Sequence, residues 1–142
     1  MKYRELRSYK YCLVEDEQRH VEIFENAHND YISLNHGSLI IKVGFAWDGS
    51  SVPLKRFVPQ WVYDFDKYCK IASLVHDSLC QLIREELLSK SHKWYIDELY
   101  RDMCIEGGMS KRRADFRYRV LRLAPDAGIS IRRYPRGKIM EV

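Results

Sequence analysis

The segment Gly44-Phe45-Ala46-Trp47-Asp48-Gly49-Ser50-Ser51-Val52-Pro53 divides this chain into two kinds of sequence. Before it, apolar residues come in short runs and alternations. After Phe65 they recur every three or four residues. A period of two suits a half-buried strand and a period of 3.6 suits an amphipathic helix, and neither pattern can serve as the other. The order is therefore strands first and helices second, an α+β fold.

Within the first part, Tyr9 to Val14 is rich in strand formers, and His20 to Glu25 alternates polar with apolar residues up to Phe24. Glu15 to Gln18 reads as the hairpin connection between them, and Asn26 to Asp30 as a second polar break. Tyr31 to Leu34 is a short strand, Asn35-His36-Gly37 a turn, and Ser38 to Phe45 the last strand. Short connections favour neighbouring strands, so residues 1–46 are expected to form a small antiparallel β-meander. Residues 47–65 have no clean period but contain five aromatics, which suits an ordered loop packed on the helices.

Asp64 or Asp66 is a candidate cap for the first long helix, whose apolar stripe is Tyr68, Ile71, Ala72, Val75, Leu79, Leu82 and Ile83. Cys69, Ser73, His76 and Cys80 form the adjoining stripe, which puts His76 at the edge of the buried face. Ser91 is a candidate cap for a second helix carrying Ile96, Leu99, Tyr100 and Met103 inward, with Asp97 beside that face. Gly107-Gly108 ends it. Ser110 caps a third, basic helix with Ala114, Tyr118 and Leu121 inward, and Pro125 stops it. The expected architecture is thus a meander, a helical hairpin and a third basic helix over residues 66–123, then a basic tail over 124–142. A length of 142 residues fits one domain with its own core.

No apolar run approaches the roughly 20 residues that a membrane-spanning helix needs. Met1 to Glu5 leads into no signal-peptide core, so synthesis in the cytoplasm is expected. None of Cys12, Cys69, Cys80 and Cys104 stands in a zinc-type spacing, and the three on expected helices read as small buried apolar residues. The net charge of +4 is uneven: residues 111–142 carry +7 and the remainder −3. Such a segment suits an anionic partner over residues 111–138, or simply a solvated helix face and tail.

Four polar residues could carry chemistry: Asp48, His76, Asp77 and Asp97. A histidine bordering a core can be oriented by a carboxylate and act as a general base near neutral pH. Neighbouring carboxylates can hold a hard cation through oxygen. In the catalytic reading His76 activates water, Asp97 orients His76, and Asp77 with Asp48 binds a divalent cation, calcium or zinc. In the bland reading the same groups fasten loop to helix, with Trp47, Gly49, Ser50, Ser51 and Pro53 as packing and turn residues and Asp48 bonding backbone amides. A straight hairpin with helices ending at Glu86 and restarting at Ser91 would place Asp97 about 9 Å along the axis from His76. Their contact then needs an earlier helix end or a long, skewed connection.

Gly44-Phe45-x-Trp47-Asp48-Gly49-Ser50-Ser51-Val52-Pro53 resembles the GF-x-T-D-x-A-S-V-P signature of a small uncharacterised family of tailed phages and prophages. Ala72-x-x-Val75-His76-Asp77-x-Leu79-Cys80 and Ile96-Asp97-Glu98-Leu99-Tyr100 resemble two further motifs of that family, over residues 37–123 in all. Departures are Trp47 for Thr, Cys80 for Tyr and a longer hairpin between His76 and Asp97. The resemblance implies a phage origin, synthesis in the host bacterial cytoplasm, and partners among other phage proteins or the bacterial envelope. A weaker likeness is to the phospholipase A2 scheme, which implies His76 as water activator, Asp77 as calcium ligand and Asp97 as orienting group; the flanking helix cysteines and glycine-rich calcium loop of that fold are absent. Three functions are consistent with this reading. They are a metal-assisted phage hydrolase acting on envelope lipid or cell-wall material, a non-catalytic virion or assembly component, and a host-directed binding protein using the basic C-terminal region.

Overall fold

The computed structural model describes residues 1, 3–5, 11–47, 66–126 and 128–129. Among them, seven strands precede three helices: β1 (Tyr3–Glu5), β2 (Tyr11–Leu13), β3 (Glu17–His20), β4 (Ala27–His28), β5 (Ile32–Asn35), β6 (Ser38–Ile41), β7 (Ala46–Trp47), then α1 (Asp66–Arg84), α2 (Lys93–Glu106) and α3 (Lys111–Leu123). The fold is α+β, with a helical hairpin and a third helix, as the change of period requires.

The strands form two antiparallel sheets, ordered β1-β2-β7 and β3-β6-β5-β4. Two strands lie where the sequence reading expects connections. Strand β3 occupies Glu17–His20, within and just after the expected hairpin connection, and pairs Glu17 to His20 with Ile41 to Ser38. It is an edge strand with one face open to water, so it needs no apolar alternation. Val21 and Ile23, which suggested a strand, are buried outside any strand. Strand β4 lies in the expected polar break, because Asn29 Oδ1 accepts from the backbone N–H groups of Tyr31 and Ile32 and makes a tight turn there. Leu13, Ile32, Leu34, Leu39 and Ile41 from the sheets meet Leu74, Leu79, Leu82 and Ile96 from the helices in one buried cluster.

Three polar contacts tie the N-terminal strand region to the helices. Trp47 Nε1 donates to Ser73 Oγ at 3.1 Å, the Glu22 amide donates to Tyr95 Oη at 2.8 Å, and Asn29 Nδ2 donates to the Glu85 carboxylate at 3.0 Å.

The connection between α1 and α2 differs from a short hairpin. Glu86 adopts φ +62°, and the amides of Leu87 and Leu88 return to the carbonyl of Leu82. This closing pattern folds the chain back along the helix and buries Leu88. A 3₁₀ turn, Lys90–His92, follows, and its cap is Ser89 rather than Ser91. Helix α2 therefore begins only at Lys93. At its other end Gly107 packs on α1, and Gly108, at φ +107°, turns the chain. Ser110 caps α3, as expected. Among the described residues no helix is long and apolar enough to cross a membrane.

A Cβ at Gly107 would sit 2.1 Å from the Tyr68 carbonyl oxygen, a backbone atom that cannot swing aside. Gly107→Ala should lower unfolding stability by about 2 kcal/mol, within the usual range for overpacking. A fall in urea midpoint at unchanged slope would be the signature.

Candidate functional site

The long, skewed connection brings His76 and Asp97 together, and the 9 Å offset of a straight hairpin does not arise. His76 Nε2 lies 2.7 Å from Asp97 Oδ1. Asp97 has no solvent exposure. Lys93, one turn earlier on α2, donates to both of its oxygens at 2.8 and 2.9 Å. Arg122 of α3 donates to Oδ2 at 2.7 Å. One carboxylate thus receives donors from α1, α2 and α3. Lys93 is itself 4% exposed, and the Arg122 guanidinium lies over the Trp94 ring at 4.5 Å.

The remaining surroundings of His76 are mixed. The Tyr100 ring meets the imidazole edge-on at 5.3 Å. The Cys80 sulfur lies 3.7 Å from Nδ1 and 3.9 Å from Nε2, so it packs against the ring rather than along one N–H axis. Asp77 Oδ1 is 3.9 Å from Nδ1, and its side chain is 36% exposed. A short bond from Nε2 to a carboxylate fixes the ring proton on Nε2. In the neutral ring, Nδ1 then keeps its lone pair on the side of Asp77.

Burial is the strongest influence on His76 and opposes its charge. The Cys80 sulfur and the Asp77 and Asp97 carboxylates act the other way and together prevail, so the His76 pKa lies well above the ordinary value. Burial likewise pushes the Asp97 pKa up, but hydrogen bonds and charge from His76 and Lys93 outweigh it and hold the carboxyl below its usual range.

Of the other candidates, Trp47 is buried at the end of β7, packed on Tyr11 and bonded to Ser73, one helical turn before His76. Asp48, Gly49, Ser50, Ser51 and Pro53 lie outside the described residues, as do the Asp64 and Asp66 side chains considered as caps. Among the described residues no three His, Cys, Asp or Glu side chains converge as a metal ion would need. Asp77 is the partly exposed carboxylate beside His76.

Lys93 and Arg122 were not visible as site residues in the sequence. Lys93 has a usable signal, since Lys and Asp four apart share a helix face. Arg122 has none, because nothing local separates it from the other arginines of α3. Nor is α3 a simple solvated basic face: Arg117 is buried and Arg122 half-buried.

A family model described as "Protein of unknown function (DUF1353)" matches residues 24–121, which include His76, Asp77, Asp97, Lys93 and Cys80. The chain belongs to the DUF1353 family. The matched span starts before β4 and ends inside α3, so this DUF1353 unit holds the helical hairpin and most of the four-stranded sheet. No curated protein and no solved structure matches the chain.

Two outcomes follow for the Asp97 cluster. Asp97→Asn should destabilise the protein by about 3–5 kcal/mol, because it leaves Lys93 and Arg122 facing a neutral amide in a dry site; chemical denaturation measures it. The raised pKa of His76 means that the native state holds a proton the unfolded chain releases. Its contribution is complete below the unfolded value of about 6.5 and is lost as pH rises through the higher folded value. Melting temperature should therefore fall with rising pH above neutrality in the wild type, and His76→Gln should flatten that slope.

Proposed function

We propose that this DUF1353 protein is a phage-encoded hydrolase acting on envelope lipid or cell-wall material, with His76 as general base and Asp97 as its orienting partner. The observation that carries the reading is the 2.7 Å bond from His76 Nε2 to a carboxylate with no exposure, which leaves Nδ1 on the side of half-exposed Asp77. A water at Nδ1 would give up its proton to the ring as its oxygen adds to an acyl or phosphoryl centre, and the ring would then return the proton to the leaving oxygen. Asp77, with Asp48 from the chain beyond β7, would hold a divalent cation that polarises that centre. Oxygen ligands suit calcium better than zinc.

A second reading, a non-catalytic virion or assembly component, is supported by the Asp97 contacts. A carboxylate held by Lys93, Arg122 and His76 from three helices is what a structural fastener needs. The two cations also draw charge from Asp97 that an orienting group would lend to the imidazole.

The two readings diverge in one experiment on vesicle and peptidoglycan substrates. For the hydrolase, EDTA abolishes turnover and calcium restores it. His76→Ala lowers kcat by at least about 100-fold, the usual share of a general base, with the circular dichroism spectrum kept. Turnover should rise with pH above neutrality, since the base works only when neutral and its pKa is raised. For the fastener, His76→Ala lowers the melting temperature and no substrate is turned over. Thermal melts of Asp48→Ala with EDTA and with calcium separate them further: a cation ligand changes the calcium response, and a loop fastener changes the melt in both.

A further inference from the structure

A cavity of about 450 Å³ lies between the start of α2 and the end of α3. Residues of the 3₁₀ turn and the first turn of α2 form one wall, and Arg122 with the residues that follow α3 forms the other. Its size is that of a small-molecule site. Neither His76 nor Asp77 lines it. Among the described residues three cations do, Lys90, Lys93 and Arg122, and one carboxylate, Asp126. Asp97 lies behind the wall, bonded to both Lys93 and Arg122. Cations outnumber carboxylates here even after Asp97 is counted, so the cavity favours an anion.

Two of these cations have donors to spare. Arg122 gives Nη1 to Asp97 and lies over the Trp94 ring, so its guanidinium is gripped from two sides before any ligand arrives. Among the described residues no acceptor takes its other N–H groups, and the Lys90 ammonium has no partner at all. The hydroxyls of Ser89 and Ser91, also in the wall, lie 2.9 Å apart. One of their two protons is spent between them and the other is free to donate. Beside these donors stands an apolar surface of Trp94, Pro125 and Ile129. The Trp94 indole is held by its Nε1 bond to Glu98 at 2.9 Å, yet the residue is 58% exposed, a large ring left to water. A neighbouring hollow of about 590 Å³ shares Lys90 but adds the Glu86 carboxylate and no further cation among the described residues, so it suits an anion less.

We propose that this cavity binds a small phosphate ester, its phosphoryl group on Lys90, Arg122 and the Ser89–Ser91 hydroxyl pair and its ring against Trp94, Pro125 and Ile129. A phosphoryl group points its oxygens in several directions and suits donors that arrive from separate elements, whereas a carboxylate presents two oxygens in one plane. The ring-bearing body follows from the exposed indole beside the cations. The site is separate from the His76 centre but adjoins it through one carboxylate: Arg122 bonds Asp97 Oδ2 and His76 bonds Oδ1. The inference does not depend on hydrolysis, since it concerns binding alone.

The test is an NMR titration of the full chain with ribose 5-phosphate, inorganic phosphate, ribose and acetate, at constant ionic strength held with chloride. Ribose 5-phosphate should shift the Trp94 indole N–H and the Ser91 amide to saturation. Inorganic phosphate should shift the same signals at a half-saturating concentration about tenfold higher, and ribose and acetate should leave them in place. Lys90→Gln changes an exposed side chain and should raise the half-saturating concentration of ribose 5-phosphate about tenfold, through loss of one charge-assisted bond. Trp94→Leu should narrow the gap between ribose 5-phosphate and inorganic phosphate. His76→Ala should keep the response. The absence of any saturable shift with either phosphate overturns the proposal, and so does acetate acting as well as phosphate. An unchanged response in Lys90→Gln also overturns it, since the anion would then sit on the exposed arginines of α3. Loss of the response in His76→Ala would place the anion at the His76 centre and overturn a separate site.

Discussion

A carboxylate cannot leave water without donors to replace the hydration it loses, and Asp97 has left it entirely. Lys93, Arg122 and His76 supply those donors from the same helix, from α3 and from α1. The contacts with Arg122 and His76 each fix a distance between two helices as well as a proton. The hairpin and the third helix are therefore set by one anion as much as by the apolar stripe of α1. The arrangement also explains the long connection of residues 85–92: the left-handed Glu86 and the buried Leu88 delay the start of α2 until Asp97 comes level with His76.

The charge distribution takes on a different meaning in three dimensions. The +7 of residues 111–142 suggests a uniformly solvated segment or an electrostatic tail. In α3 it divides. Lys111, Arg112, Arg113 and Arg119 face water, whereas Arg117 and Arg122 turn toward α2. Arg122 compensates Asp97 and stacks on Trp94, and Arg117 reaches Tyr100. Part of the apparent basic patch is thus internal electrostatics and is not available to a large anionic surface.

The helices were legible because burial imposes a period: Ala72, Val75, Leu79 and Leu82 are all buried, as their spacing requires. The meeting of His76 with Asp97 could be posed as a question but not answered, since it turns on the path of residues 85–92. That path depends on a φ of +62° at Glu86, a residue type that does not advertise it. Strand β3 was misplaced because an edge strand of Glu, Gln, Arg and His carries no hydrophobic alternation. Its position is set by pairing with β6, which is invisible locally. The inward turn of Arg117 has a spacing signal, three residues after Ala114 and four before Leu121, but its residue type ordinarily belongs on the surface.

The clasp between Trp47 and Ser73 reaches beyond its own hydrogen bond. Residues 48–65 leave from Trp47 and rejoin the chain at Asp66, and the two anchor points are seven residues apart on one helix, Asp66 and Ser73. That spacing corresponds to about 10 Å of helix axis. Both ends of that segment are thereby referred to one rigid element, so a shift of α1 carries the end of β7 and His76, one turn beyond Ser73, together.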